Sequence, residues 1–132
     1  MKKTATGTYK TTTYQENEYR QVAGGPKLTV AEKELALDGG IQGTGVSRDS
    51  NAYGSDGSNH FTGHLCITGR LGDRDGSFVV AESGVGSPRG ATATWQVVPG
   101  TASGGLAGLR GGGGWTWEQG KREVAYTLTY EL

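Results

Sequence analysis

The chain has 132 residues, 33% of them hydrophobic, and its 13 basic side chains balance 13 acidic ones. That length makes one domain, residues 1–132, with a core that needs neither metal nor disulfides, and a neutral chain without a Lys/Arg cluster argues against nucleic acid as a partner. No apolar run approaches the roughly 18 residues of a membrane-spanning helix, and the lone Cys66 cannot close an internal disulfide.

The chain opens on Met1-Lys2-Lys3, charged like the start of a signal peptide. Thr4-Ala5-Thr6-Gly7-Thr8-Tyr9 follows where an apolar run would be needed, so the expected location is the cytoplasm. A first strand is expected near residues 4–14. Val30 to Asp38 is rich in helix formers, but the flanking Leu28-Thr29-Val30 and Gly39-Gly40 fit a strand equally well. A strand over 28–38 is the preferred reading. A third strand, 41–53, carries Asp49 on the face of Ile41 and Tyr53.

Ser55-Asp56-Gly57-Ser58 is a hairpin signal. The strand after it, 60–70, sets Phe61, Gly63, Leu65 and Ile67 on one face and His60, His64 and Cys66 on the other. Asp73-Arg74-Asp75-Gly76 turns the chain again. Strand 77–85 then aligns Phe78, Val80 and Glu82, and after Ser87-Pro88-Arg89-Gly90, strand 90–98 aligns Ala93, Trp95 and Val97.

From Trp95 to Trp115 eight of 21 residues are glycine. Pro99-Gly100 ends a strand, and 101–110 reads as a crossing loop with one short turn around Leu106 to Leu109. Gly111 to Gly114 enter a strand at 112–118, where glycine marks a bend, a bulge or a close approach. Trp115 and Trp117 share one face over that bend. After Gln119-Gly120-Lys121, the last strand, 123–131, alternates Val124, Tyr126, Leu128 and Tyr130 with small or polar residues. Eight short strands joined by tight turns predict an all-β fold, a single antiparallel up-and-down barrel or a sandwich. An eight-stranded barrel is just wide enough for packed side chains or one small ligand. Leu, Ile, Val and Phe number only 22, so the six Tyr and three Trp must supply much of the core.

Trp95-Gln96-Val97-Val98-Pro99-Gly100, followed by Gly105-Leu106-Ala107-Gly108-Leu109-Arg110-Gly111, resembles a signature of a bacterial domain family of unknown function with an allene-oxide-cyclase-like β-barrel. Gly25 to Thr29, Asp75 to Val80 and Tyr126 to Leu132 support the resemblance, which spans residues 8 to 132. It implies a single eight-stranded barrel of the calycin or lipocalin kind, often self-associating, and no common activity. Allene oxide cyclases, which have similar barrels, cyclise a lipid epoxide without a cofactor. Val46 to Tyr53 is more polar than the family pattern.

Signatures of hydrolases, phosphate loops and dinucleotide sites are absent. On a strand, His60 and His64 lie about 13 Å apart, too far to share a metal. The alternation turns Glu82 into the barrel, where an apolar setting raises a carboxyl's pKa towards neutrality. Asp49 and Tyr126 complete the candidate catalytic set, and Phe78, Trp95, Tyr53 and Arg110 the substrate-binding set. The plainer alternative has Glu82 in water at the rim or paired with Arg48 or Arg110. Three functional classes follow: a cofactor-independent cyclase or isomerase acting on an apolar, lipid- or polyketide-like molecule, a ligand-binding barrel without turnover, and a structural barrel with a filled lumen. No metal or cofactor is expected. The expected partners are an apolar small molecule and a second copy of the chain, a homo-oligomer.

Overall fold

Alternation, not helix propensity, decides the architecture. A computed structural model describes residues 1–132 and contains no helix. Its strands are β1 (Lys3–Gln21), β2 (Lys27–Gly39), β3 (Ile41–Tyr53), β4 (Asn59–Leu71), β5 (Arg74–Ser87), β6 (Gly90–Val97), β7 (Ser103–Gly104), β8 (Arg110–Glu118) and β9 (Val124–Glu131). All neighbours pair antiparallel in the order β1-β2-β3-β4-β5-β6-β8-β9, and β9 returns to β1 to close an eight-stranded barrel. The two-residue β7 lies outside the ring against Gly76 and Ser77 of β5.

The ambiguous segment Val30–Asp38 is strand. Its Ala31, Leu35 and Leu37 turn into the core and Glu32, Glu34 and Asp38 turn out. Pairing on both sides, with β1 and β3, overrides its helix-forming composition. The first strand outruns its expected end. Only Lys3 to Tyr9 pair with β9; beyond them β1 continues to Gln21 along β2 alone, with bulges between Thr11 and Thr13 and between Glu18 and Arg20. This outlying ribbon has no apolar face to bury, which is why its sequence carries no strand alternation.

Twenty buried residues form one core inside the barrel, among them Phe78, Trp95, Ile67 and Leu128. Burial of each large apolar side chain is worth about 1.5–3 kcal/mol. The two ends differ. At one end the turns are tight and the loop between β6 and β8 folds across the opening. Leu106, 1% exposed, and Leu109 plug the lumen there. The loop is pinned by Gly105 N–H donating to Asp75 O at 2.7 Å and by Thr101 Oγ1 donating to Val98 O at 2.7 Å.

The glycine run answers to close packing of strands. A Cβ on Gly111, Gly113 or Gly114 would fall on the carbonyl oxygens of Thr129, Thr127 and Ala93 respectively. From Gly111 to Gly114, β8 therefore threads between β6 and β9 without side chains, until Trp115 fills the interior. The glycines and the tryptophan are two halves of one packing solution.

Candidate functional site

The other end of the barrel is open, and its inner surface is more polar than its depth would suggest. β2 turns Thr29, Ala31 and Lys33 inward; β3 turns Ser47, Asp49, Asn51 and Tyr53 inward. Of these, Ala31, Lys33, Asp49, Asn51 and Tyr53, with Phe61 of β4 and Trp115 of β8, wall a cavity of about 170 Å³ that opens at the rim. Phe61 and Trp115 stack at 5.6 Å between ring centroids, and Tyr9 meets Trp115 edge-on at 6.3 Å. Such pairs fix ring positions, and each adds about 0.5–1.5 kcal/mol beyond burial.

Asp49 is 3% exposed. Its Oδ2 lies 3.9 Å from Lys33 Nζ, while its Oδ1 has no hydrogen-bond partner. Burial, and secondarily the charge of Glu82, push the Asp49 carboxyl up to about 6, against the opposing pull of Lys33. Lys33 Nζ also sits 5.8 Å from the Trp115 ring centre, a cation–π distance.

Behind this wall lies Glu82, 2% exposed, which accepts a hydrogen bond from Trp115 Nε1. Asp49, Gly63 and Glu82 occupy one row across β3, β4 and β5. A Cβ on Gly63 would strike the Arg48 carbonyl oxygen and then Asp49 Oδ1, so glycine leaves room both for the neighbouring strand and for that carboxyl. Tyr9 faces the same cluster, and its hydroxyl pKa is raised by burial and then by the charges of Glu82 and Asp49.

At the rim, Glu16 of the outlying ribbon accepts hydroxyl hydrogen bonds from Tyr14 at 2.5 Å, Thr29 at 2.5 Å and Tyr53 at 2.6 Å. Burial opposes its ionisation, but those three bonds and Lys27 hold its carboxyl below the ordinary range. Lys27 Nζ in turn sits 4.6 Å from the centre of the Tyr53 ring. Three larger depressions lie on the outer wall, about 510 Å³ beside Tyr19 and Leu28, about 410 Å³ beside Thr13 and Glu34, and about 360 Å³ beside Arg110. None is lined by a buried carboxyl, so the open mouth is the candidate site.

A family model described as a protein of unknown function, DUF3224, matches residues 5–130. The chain belongs to the DUF3224 family. A crystal structure of a DUF3224 protein of unknown function from Shewanella oneidensis MR-1 is similar to it, with a TM-score of 0.79 and 20% identity over 100% of this chain and 98% of that chain. At that identity the likeness carries the fold. No match to a curated protein was found.

In this DUF3224 barrel the residues singled out from sequence separate into four places. Asp49 and Tyr53 line the mouth cavity. Glu82 is buried behind it, neither in water nor paired with an arginine; Arg48 meets Glu32 at 3.7 Å and Arg110 meets Glu131 at 3.3 Å. Phe78, Trp95 and Tyr126 lie in the core towards the plugged end, with Trp95 stacked on Tyr126 at 5.9 Å. The Tyr126 hydroxyl donates to Asp38 O at 2.5 Å and accepts from Ile41 N–H at 2.9 Å, bracing the turn between β2 and β3. Arg110 is on the outer surface. His60, His64 and Cys66 face outward and are exposed.

Sequence reasoning missed Lys33, Trp115 as a cavity wall, and Glu16. Lys33 was discoverable, because a strand over 28–38 puts it in phase with Ala31 and Leu35. Glu16 had no such signal, since the ribbon's bulges break the alternation.

Proposed function

We propose that the barrel binds a small, uncharged molecule at its open mouth and isomerises or cyclises it by proton transfer without a cofactor, with Asp49 as the acid–base group. The observation that carries this reading is Asp49 itself: a buried carboxyl on a cavity wall, with one oxygen unpartnered. A buried acceptor left without a partner costs about 1–3 kcal/mol, more for a charged group. A ligand hydrogen that meets Oδ1 removes that penalty. A carboxyl titrating at about 6 is matched to proton transfer near neutrality.

Phe61, Trp115, Ala31 and Ala91 offer an apolar bed, and Lys33 and Asp49 offer opposite charges. That balance favours a ligand with no net charge, an apolar body and one polar group, such as a carbonyl. Ionised Asp49 takes a proton from the carbon beside the carbonyl. The C–H electrons form a carbon–carbon double bond, and the carbonyl electrons move onto oxygen, where Lys33 donates a hydrogen bond. Asp49 then returns its proton to a different carbon. Holding the reactive conformer between the rings supplies several kcal/mol more.

The cavity of about 170 Å³ compares with the roughly 150 Å³ that holds a benzene ring and falls below the usual range of about 300–1,000 Å³. One ring's worth of ligand fits inside, and a longer lipid- or polyketide-like body would project past the rim. The filled lower lumen favours a second reading, a ligand-binding or structural barrel without turnover. Native mass spectrometry of the freshly purified protein, beside Asp49→Asn, separates the two. A retained small molecule, or binding of neutral carbonyl probes such as cyclohexenone that weakens at least tenfold in the variant, supports the mouth site, and probe isomerisation supports catalysis. Bare protein that binds none of the probes ends the proposal.

A further inference from the structure

We infer that Glu82 is a positioning residue, a fixed carboxyl group that acts across the bare backbone of Gly63 to govern when Asp49 holds its proton. The inference rests on the reading of Asp49 as the acid–base group of the mouth. Glu82 does not line the cavity, so it touches no ligand there and works only through its neighbour.

Three observations carry it. First, the register sets Asp49, Gly63 and Glu82 side by side on adjacent strands, all facing inward. Second, a Cβ at Gly63 would meet first the Arg48 carbonyl oxygen and then Asp49 Oδ1, so this carboxyl leans over the bare backbone of β4, the strand next to Glu82. Asp49 Oδ1 is also the oxygen without a partner. Third, Glu82 is held by Trp115 Nε1, on a ring itself fixed between Phe61 and Tyr9. Its carboxyl is therefore held in place beside Asp49.

The charges around the pair make the coupling strong. From β1 come Tyr9 and, at the cavity edge, Tyr14, both of which stay neutral, and from β2 comes Lys33. β4, β6, β8 and β9 contribute Phe61, Trp95, Trp115 and Leu128, with no charge. Glu16 at the rim is occupied by its three hydroxyl donors. Two buried carboxyls therefore face a single cation. Like charges in a dry site disfavour a second ionisation and couple the titrations.

The test is a carbon-detected NMR pH titration of the Asp49 side chain in ligand-free wild type and Glu82→Gln. We expect the Asp49 midpoint to fall by about one pH unit in the variant, a tenfold change in proton affinity. A midpoint that stays put while the melting temperature drops gives Glu82 a structural role only and overturns the inference. Should Glu82→Gln fail to fold, Glu82→Leu removes the charge without leaving a buried amide, and the same comparison applies. Wild type alone supplies a further check. The Glu82 carboxyl resonance must show a step at the Asp49 midpoint, and its absence also overturns the inference. No ligand enters any of these measurements. Their failure would leave the mouth site standing, and bare protein in the mass spectrometer would leave the coupling standing.

Discussion

The two ends of this barrel are made from the same strands and do opposite things. At the plugged end Leu106 and Leu109 fill the opening, Tyr126 is bonded to backbone on both sides, and the one buried polar side-chain atom without a partner is the ring nitrogen Nε1 of Trp95. At the open end Asp49 Oδ1 and Ser47 Oγ are both buried without partners, and Asp49 meets Lys33 with a second buried carboxyl, Glu82, in the same row of strands. Such groups weaken a fold unless something else keeps them. The contrast sets apolar packing at one end against the proposed chemistry at the other.

Emptying the plug should give the largest change. Leu106→Ala removes a fully buried side chain and is expected to lower unfolding free energy by about 3 kcal/mol. Chemical denaturation measures it, and ligand binding by the folded fraction should be untouched. If binding at the mouth fell in step, the division between the ends would not hold.

Asp49 gives the reverse sign. Its folded-state carboxyl titrates at about 6 against an ordinary 3.8. The folded state thus binds its proton more tightly than the unfolded chain does. Its contribution is full below about 3.8 and is lost as pH rises to about 6, by up to roughly 3 kcal/mol. Relative to Asp49→Asn, wild type should therefore lose stability across that interval, as read by denaturation at a series of pH values. A difference that is flat with pH would mean that the carboxyl is better solvated than its burial implies.

Tyr126→Phe should destabilise by about 1–2 kcal/mol, because Ile41 N–H loses its acceptor in a buried setting. The melting temperature would fall with no effect on mouth ligands. Arg110→Ala breaks only an exposed pair with Glu131 and should change stability by less than about 0.5 kcal/mol. A larger loss there would move the stabilising role of the plugged end out onto its surface.

Most of the ring was legible from alternation alone, down to the loop that bears Leu106. Period two and turn chemistry are local, and local signals survive in a sequence. Glu82 could be placed inside because it continues Phe78 and Val80, and Asp49 because it follows Ile41 in phase. Their depth could not be read, since it depends on how far neighbouring strands rise around them. The role of Trp115 was hidden for a similar reason: its partner Glu82 is 33 residues away and two strands across the barrel. The polar character of Val46–Tyr53 is the trace of the mouth in the sequence. Its inward positions are Ser47, Asp49, Asn51 and Tyr53.

The seam between β1 and β9 has a kinetic consequence. Six of the seven other pairings in the ring join consecutive strands by short turns, whereas Thr4 meets Thr129 across 125 residues. Hairpins form in microseconds, but contacts so distant in sequence must first overcome a long loop's closure entropy. Ring closure is therefore expected to be the slow step of folding. Until it happens the chain is an open sheet, with both edge strands free to meet other molecules. Refolding yield should accordingly fall as protein concentration rises, even though the closed barrel offers β9 no free edge.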